Sequence, residues 1–169
     1  MQRETTTRHA RFGVLGAVAL LSAVGLTASP MMTAPAHAAY GPCNTTSWRD
    51  VPTLGAGNDY KIPARSGNGL NCYLGYRVGA EAAVEALQLA ITICYPGTWA
   101  SQRIHDTGGF DGHYGTGTVE AVRWLQKNKL GLAADADGVY GPQTRKKMRW
   151  PHYSDRGALL YQCSNPSTL

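Results

Sequence analysis

The stretch DGVYGPQT, residues 137–144, combines a turn, an aromatic residue and a helix start. Asp-Gly favours a tight turn, because glycine accepts a positive φ and the aspartate side chain can bond its own backbone. Pro142 suits the first position of a helix, where its missing N–H costs no hydrogen bond. The stretch therefore predicts a turn that leads through Tyr140 into a short helix.

The chain contains the same pattern a second time, as DGHYGTGT over residues 111–118. The two copies share Asp, Gly, Tyr, Gly and Thr at a constant offset of 26 residues. A helical pattern VxxLQ precedes each copy, at residues 84–88 and 122–126. The repeated unit is thus a helix, a loop, an Asp-Gly turn, an aromatic residue and a helix start, and the second helix serves both copies.

Each residue type in the unit has an expected physical role. Tyr114 and Tyr140 can fold back and bury a large ring on a helix face. The threonine that ends each copy falls in a first helical turn, where its hydroxyl can bond unpaired backbone groups. Gln88 and Gln126 are expected to bond the backbone of the loops. The two turns would then clamp the helices around a shared apolar centre.

Apolar spacing predicts three helices, over residues 80–93, 119–130 and 142–150. The segment 95–109 lies between the first two, contains Pro-Gly and Gly-Gly pairs, and is predicted to be a loop. The tail from His152 shows no periodic pattern.

Residues 40–71 are rich in Gly, Pro, Asn and Ser. Two short extended pieces are expected there, over 46–51 and 59–63, with the turn-prone LGAGN at 54–58 between them. The predicted fold class is therefore mainly α. It is a compact three-helix domain with a short extended or hairpin N-terminal arm and a disulfide-tied tail.

The start of the chain has the pattern of an export signal. An apolar run over 12–26 follows three arginines, Arg3, Arg8 and Arg11. The run is shorter than the roughly 20 residues needed to span a bilayer. The AHA triplet at 36–38 offers the small residues that signal peptidase requires. The sequence predicts a cleaved signal peptide and no stable membrane insertion afterwards. We expect a protein that is secreted, extracellular or associated with the cell wall.

The expected organisation has four segments. They are a signal peptide over 1–38, an arm over 39–77, the helical domain over 78–150 and a tail over 151–169. The leader holds three of the 16 Lys and Arg residues and one of the 11 acids, so 131 residues with a net charge of +3 remain. Nucleic acid usually requires a stronger basic footprint, so no nucleic-acid partner is expected. We expect a monomer.

All four cysteines lie beyond the leader, and an even number in an exported chain implies two disulfides. Three pairings are possible. We favour Cys72–Cys94 with Cys43–Cys163, because the second bond would join the two ends of the mature chain. The absence of a CxxC pair argues against a structural zinc site.

The series VxxLQ, DGxYGxxT, VxxLQ and GLxADxDGVYGPQT resembles the type 1 peptidoglycan-binding domain family, a compact three-helix module. The resemblance extends from about residue 78 to residue 150. The second motif is close to the family pattern, whereas His113 and Gly117 depart from it in the first. The resemblance implies a secreted, non-catalytic wall-binding protein without a cofactor. Its partner would be peptidoglycan or an associated wall polymer.

Ligand contacts are expected along the Asp-Gly turns and at the helix ends. Aromatic rings and planar polar groups suit glycan strands, while Arg and Lys suit the carboxylates and phosphates of peptide stems and wall polymers. Turn and core roles compete with ligand contact for the aspartates and tyrosines. The candidate ligand-binding residues are Asp111, His113, Tyr114, Arg123, Trp124, Asp137, Tyr140 and Arg145. No catalytic or metal-binding residue belongs to this hypothesis.

One alternative is a small zinc-dependent wall hydrolase, because histidines and carboxylates can hold zinc and activate water. No HExxH framework accompanies these residues in the chain. Its candidate ligands are His105, Asp106, Asp111, His113 and His152.

Another alternative is a secreted interaction or inhibitor protein on the same fold. The segment 95–110 would insert into the cleft of a partner, with Trp99 as a candidate contact.

Overall fold

In the computed structural model, residues 40–51, 58–67, 69–155 and 157–166 are described. These residues contain four α-helices, one 3₁₀ turn and a single four-stranded sheet. In chain order the elements are β1 (Thr45–Asp50), β2 (Asn58–Ala64), α1 (Glu81–Cys94), α2 (Trp99–Asp106), α3 (Thr116–Asn128), the 3₁₀ turn (Ala133–Asp135), α4 (Pro142–Lys147), β3 (Trp150–Ser154) and β4 (Leu159–Ser164). The predicted signal peptide lies outside the described residues.

The three predicted helices are present as α1, α3 and α4, with shifted ends. Helix α3 begins at Thr116, directly after Gly115. Helix α4 ends at Lys147, three residues before the predicted limit, because Met148 is already extended. Trp150 precedes a proline, which disfavours helical geometry, and it opens β3 instead. Within the described part of the chain, none of the helices has the length and apolar character needed to cross a bilayer.

The segment 95–109 is not only a loop, as the sequence predicted, because it contains helix α2. The hydroxyl oxygen of Thr98 accepts a hydrogen bond from the backbone N–H of Ser101 at 3.2 Å and caps this helix. Ala100 and Ile104, four residues apart on one face, are fully buried. The helix is short and glycine-flanked, so its apolar pattern is weak in the sequence.

The prediction of a mainly α protein is wrong, because an antiparallel sheet in the order β1–β2–β3–β4 accompanies the helices. The predicted extended pieces are confirmed as the hairpin β1–β2, although residues 54–57 of the predicted turn lie outside the described residues. The tail was predicted to lack structure, yet it forms β4 and most of β3. Strand β3 pairs with β2, with Tyr60 opposite His152. Arm and tail therefore build one sheet.

The predicted disulfide pairing is also wrong: the bonds are Cys43–Cys72 and Cys94–Cys163. Cys43 donates its backbone N–H to the carbonyl of Tyr73 at 2.9 Å, which brings the arm beside Cys72. Cys94 ends α1 and meets Cys163 on β4 across a Cα–Cα distance of 5.6 Å. The pairing follows from the sheet, which returns the tail to α1.

Helices and sheet share one hydrophobic core. Tyr60 and Ile62 of β2 and Trp150 of β3 are buried in the same cluster as Leu87 and Ile91 of α1. Because the sheet and the helices bury their apolar faces against each other, the sheet is part of the folded unit.

Candidate functional site

The first motif copy is organised around the buried side chain of Gln88. Its Nε2 donates to Asp111 Oδ1 at 2.9 Å, to the carbonyl of His113 at 3.1 Å and to Thr118 Oγ1 at 3.1 Å. Its Oε1 accepts the backbone N–H of Gly112 at 3.0 Å. A single amide on α1 thus holds the turn and the start of α3 together.

The second copy repeats this arrangement around Gln126. Its Nε2 donates to Asp137 Oδ1 at 3.0 Å, to the carbonyl of Val139 at 3.0 Å and to Thr144 Oγ1 at 3.1 Å. Its Oε1 accepts the N–H of Gly138 at 2.8 Å. The expectation that both glutamines bond the loop backbone is confirmed, and the sequence repeat is also a structural repeat.

The two aspartates shape their turns. Asp111 Oδ1 accepts the backbone N–H of His113 at 2.9 Å, and Asp137 Oδ1 accepts that of Val139 at 2.8 Å. Burial opposes the charge of Asp111, but the bonds from His113 and Gln88 outweigh it and hold its pKa below the ordinary value. Both aspartates remain at the surface, so their turn role leaves them accessible.

Tyr114 and Tyr140 lie in the core, with 3% and 0% of their surface exposed. Tyr114 donates its hydroxyl to the carbonyl of Gly138 at 2.8 Å, which ties the first copy to the turn of the second. The ring of Tyr140 packs edge-on against Trp150 with centroids 6.0 Å apart. Burial raises the pKa of both hydroxyls. The anchor role is confirmed, and neither ring is available to a ligand at the surface.

Arg145, another candidate contact, is only 4% exposed. Its Nη1 donates to the carbonyl of Leu70, and burial lowers the pKa of its guanidinium. The side chain therefore fastens α4 to the segment that precedes α1. It is not presented at the surface.

A groove of about 390 Å³ lies against the second motif copy, and we name it the motif groove. Leu132, Ala136 and Pro142 contribute apolar surface, while Asp137 and Gln143 contribute polar groups. Such a mixture of apolar walls and a few polar groups is typical of ligand-binding clefts. Of the candidate residues, Asp137 lines this groove.

A second groove of about 380 Å³ lies between α2 and α3, and we name it the tryptophan groove. Its lining residues are Trp99, Glu120, Arg123, Trp124, Lys127 and Asn128. Arg123 also donates from Nη2 to the carbonyl of Asp137 at 3.0 Å, so it connects the two grooves. The structure thereby brings Arg123, Trp124 and Asp137 together. The exposed Asp111 and His113 line neither groove.

Lys127 and Asn128 also line the tryptophan groove, although they were not among the predicted ligand contacts. Both follow Trp124 at helical spacing, and this spacing was the available signal. Trp99 was named only for the interaction alternative, because its segment was expected to be a loop. The apolar residues of the motif groove carry no separate signal, since Leu132 and Pro142 also suit a loop and a helix start.

The residues of the zinc alternative do not converge. His105 and Asp106 are neighbours at 3.4 Å on the exposed end of α2, whereas His152 lies in the sheet and bonds Ser164 Oγ at 2.8 Å. Among the residues that the structure describes, no three His, Cys, Asp or Glu side chains are grouped as a metal site requires.

The fold and the grooves define a small domain of helices and one sheet, in which two glutamine-centred turns lie beside two surface grooves. Residues 80–148, which hold both motif copies and helices α1–α4, match the family model described as putative peptidoglycan binding domain. This match confirms the resemblance inferred from the repeated motif. No curated protein and no solved structure is significantly similar to the chain.

The family match supports peptidoglycan binding in general. Disulfides persist in oxidising compartments, so the two bonds and the domain are consistent with an extracellular location. All four strands of the sheet lie outside the matched residues.

Proposed function

We propose that the chain is a secreted, monomeric, non-catalytic protein that binds peptidoglycan through the motif groove. The observation that carries the proposal is the match over 80–148 together with a groove lined by residues of the second motif. Peptidoglycan presents apolar sugar faces and alanine methyl groups beside amides and carboxylates. The apolar walls and polar edges of the groove suit such a polymer.

The roles of the motif side chains support the non-catalytic part of the proposal. Asp111 and Asp137 each accept hydrogen bonds from a backbone N–H and a glutamine amide, so their charges are used to hold turns. A general acid or base requires a carboxyl group that can exchange a proton with the substrate. The bonds that lower the pKa of Asp111 oppose its protonation.

Secretion is proposed from the predicted leader over residues 1–38 and from the two disulfides. A protein exported in this way meets peptidoglycan outside the membrane, where the proposed ligand is found.

The test is co-sedimentation of the mature protein with insoluble peptidoglycan. Ala134→Arg places a long side chain in the motif groove and is expected to weaken binding about tenfold, or about 1.4 kcal/mol. Ala82→Arg makes the same change on the exposed face of α1 and should bind as the wild type does.

Wild-type protein that stays in solution would disprove the proposed function. Equal binding by Ala134→Arg and wild type would disprove the assignment to the motif groove. Release of sugars or amines from the wall would contradict the non-catalytic role, and its loss on adding a chelator would support the zinc hydrolase.

A further inference from the structure

The two motif copies differ in the length of the segment between the glutamine and the turn. Gln88 and Asp111 are 23 positions apart, whereas Gln126 and Asp137 are 11 positions apart. Beyond the end of α1 the longer segment contains α2, and beyond the end of α3 the shorter one contains the 3₁₀ turn. Helix α2 is therefore an addition to the first copy, and it supplies one wall of the tryptophan groove.

Helix α2 is held firmly against α3. Arg103 Nε lies 2.6 Å from Glu120 Oε2, and Ile104 is buried in the hydrophobic core. A Cβ at Gly117 would lie 2.1 Å from Thr107 Oγ1, so the glycine permits the close approach of the end of α2. The departure of Gly117 from the family pattern thus has a structural role.

The added helix presents a tryptophan at the surface. Trp99 begins α2 and is 48% exposed, next to the Thr98 cap. Its ring lies 6.4 Å from that of Trp124, with 32° between the ring planes. The contact with the Trp124 ring limits the freedom of the indole, which lowers the entropy lost when a ligand binds. The C–H face of a pyranose ring packs well on such an indole face.

The charges around the two rings favour an anion. Arg103 pairs with Glu120, which leaves Arg123 and Lys127 as the cations of the groove. Neither forms an ion pair with a carboxylate within the described ranges. Arg123 donates from Nη2 to the carbonyl of Asp137, and its remaining N–H groups can donate to a carboxylate.

We propose that the tryptophan groove is a second subsite, which binds the glycan strand of peptidoglycan. A sugar ring packs on Trp99, and a carboxylate of the attached peptide stem binds at Arg123 and Lys127. The bond from Arg123 to Asp137 places this subsite beside the motif groove, so one polymer can occupy both. This inference rests on the proposed function, because it names the part of the same ligand that the groove recognises.

The test uses two soluble probes, titrated by calorimetry against the full mature protein. The probes are muramidase-released disaccharide-peptide fragments and the neutral tetrasaccharide of β-1,4-linked N-acetylglucosamine. Trp99→Ala is expected to weaken binding of both probes about tenfold. Lys127→Ala should weaken binding of the charged fragments only, because the tetrasaccharide has no carboxylate.

The matched control is Trp48→Ala, because Trp48 is also 48% exposed but lies on β1. This variant should bind both probes as the wild type does, and thermal unfolding of each variant shows that it is folded. Lys127→Ala provides a second test at an exposed position if Trp99→Ala does not fold.

Several outcomes would overturn the subsite. One is that Trp99→Ala and Lys127→Ala bind the fragments as the wild type does while Ala134→Arg still weakens sedimentation with the wall. This result would leave the proposed function intact. Another is that poly(glycerol phosphate) binds more tightly than the disaccharide-peptide fragments, and that its binding depends on Lys127 but not on Trp99. The groove would then be a site for phosphate polymers. If wild-type protein does not sediment with the wall, the proposed function fails first.

Discussion

At the scale of single residues, two glutamines determine the local structure of the repeat. Gln126 is fully inside the protein and is both donor and acceptor for one turn, and Gln88 has the same role in the other. A buried polar side chain stabilises a fold only when its partners are all present. These positions therefore tolerate neither an apolar residue nor a change of donor to acceptor.

The substitution Gln126→Glu tests this role with almost no change of shape. A carboxylate accepts the N–H of Gly138 but cannot donate to Asp137 or Val139, and it repels the charge of Asp137. We expect the free energy of unfolding at pH 7 to fall by about 3 kcal/mol. The loss should be smaller at pH 4.5, where a protonated carboxyl donates again. Urea unfolding at both pH values measures it.

Gln143→Glu is the control for this experiment, because Gln143 is exposed in the motif groove. It should leave stability at pH 7 within about 0.5 kcal/mol of the wild type. If Gln126→Glu has the same free energy of unfolding as the wild type at pH 7, the glutamine amide does not hold the turn.

The burial of His152 predicts that the stability of the protein depends on pH. Its ring is buried, and its Nδ1 has no hydrogen-bond partner among the described residues. Burial lowers the pKa of the ring below the ordinary value near 6.5. The unfolded chain therefore takes up a proton before the folded chain does. The contribution of neutral His152 to the free energy of unfolding is fully present above the pKa of the unfolded chain. It is lost as the pH falls through the lower pKa of the folded protein.

We expect the free energy of unfolding to decrease between pH 7.5 and pH 5.5, and His152→Asn to flatten this decrease. His105→Asn, at an exposed position on α2, should keep the wild-type pH dependence. Denaturant unfolding at several pH values measures the slope. An unchanged slope in His152→Asn would exclude His152 as its source.

At the scale of elements, the contact between α2 and α3 depends on Gly117. Alanine is a better helix former than glycine by about 1 kcal/mol, so Gly117→Ala would stabilise an isolated helix. Here the new Cβ would lie 2.1 Å from Thr107 Oγ1 and 2.6 Å from its Cβ. We expect a net destabilisation of about 1–3 kcal/mol, since a packed interface does not accept an added methyl group.

Thermal and urea unfolding of Gly117→Ala measure this cost. Gly75→Ala is a suitable control, because a Cβ there would meet Val139 only at an ordinary 3.8 Å. Stability of Gly117→Ala above that of the wild type would mean that helix propensity dominates and that α2 is not packed as described.

Helix α2 shows why the apolar pattern of the sequence did not predict every helix. The helices that carry VxxLQ were predicted because several apolar residues repeat along one face. Helix α2 buries only Ala100 and Ile104, and two residues on one turn are too few to produce a period. Its recognition required the three-dimensional contact with α3. For the same reason the tryptophan groove could not be predicted as a site.

At the scale of the whole molecule, the disulfide Cys94–Cys163 connects the helical part to the last strand of the sheet. It closes a loop of 69 residues, whereas Cys43–Cys72 closes one of 29. In the chain-entropy description, removing the disulfide that closes the longer loop lowers the free energy of unfolding by about 4 kcal/mol. We expect the double variant Cys94→Ala/Cys163→Ala to unfold at a lower temperature than the wild type.

Hydrogen exchange should locate the effect of this change. Protection is expected to fall first in β4, which is an edge strand beside β3 among the described strands, while α1 and α3 keep theirs. Cys43→Ala/Cys72→Ala is the comparison, and its effect should appear near the arm. Equal loss of protection in α3 and β4 would show that helices and sheet unfold as one cooperative unit.

The sequence by itself determined the repeated turns, three of the helices, the N-terminal hairpin and the resemblance of residues 80–148 to the peptidoglycan-binding family. These features depend on interactions between near neighbours, such as an aspartate with the N–H two residues on or apolar residues one helical turn apart. The roles of Gln88 and Gln126 followed because they recur with the turns that they serve.

Only the tertiary structure decided the four-stranded sheet, the disulfide pairing, the burial of Arg145 and the groove between α2 and α3. The sheet pairs Tyr60 with His152, and the second disulfide pairs Cys94 with Cys163. Partners so distant in sequence are brought together by the packing of the core. Strand pairing and cysteine pairing depend on that packing, and no local pattern specifies which distant segment will supply the partner.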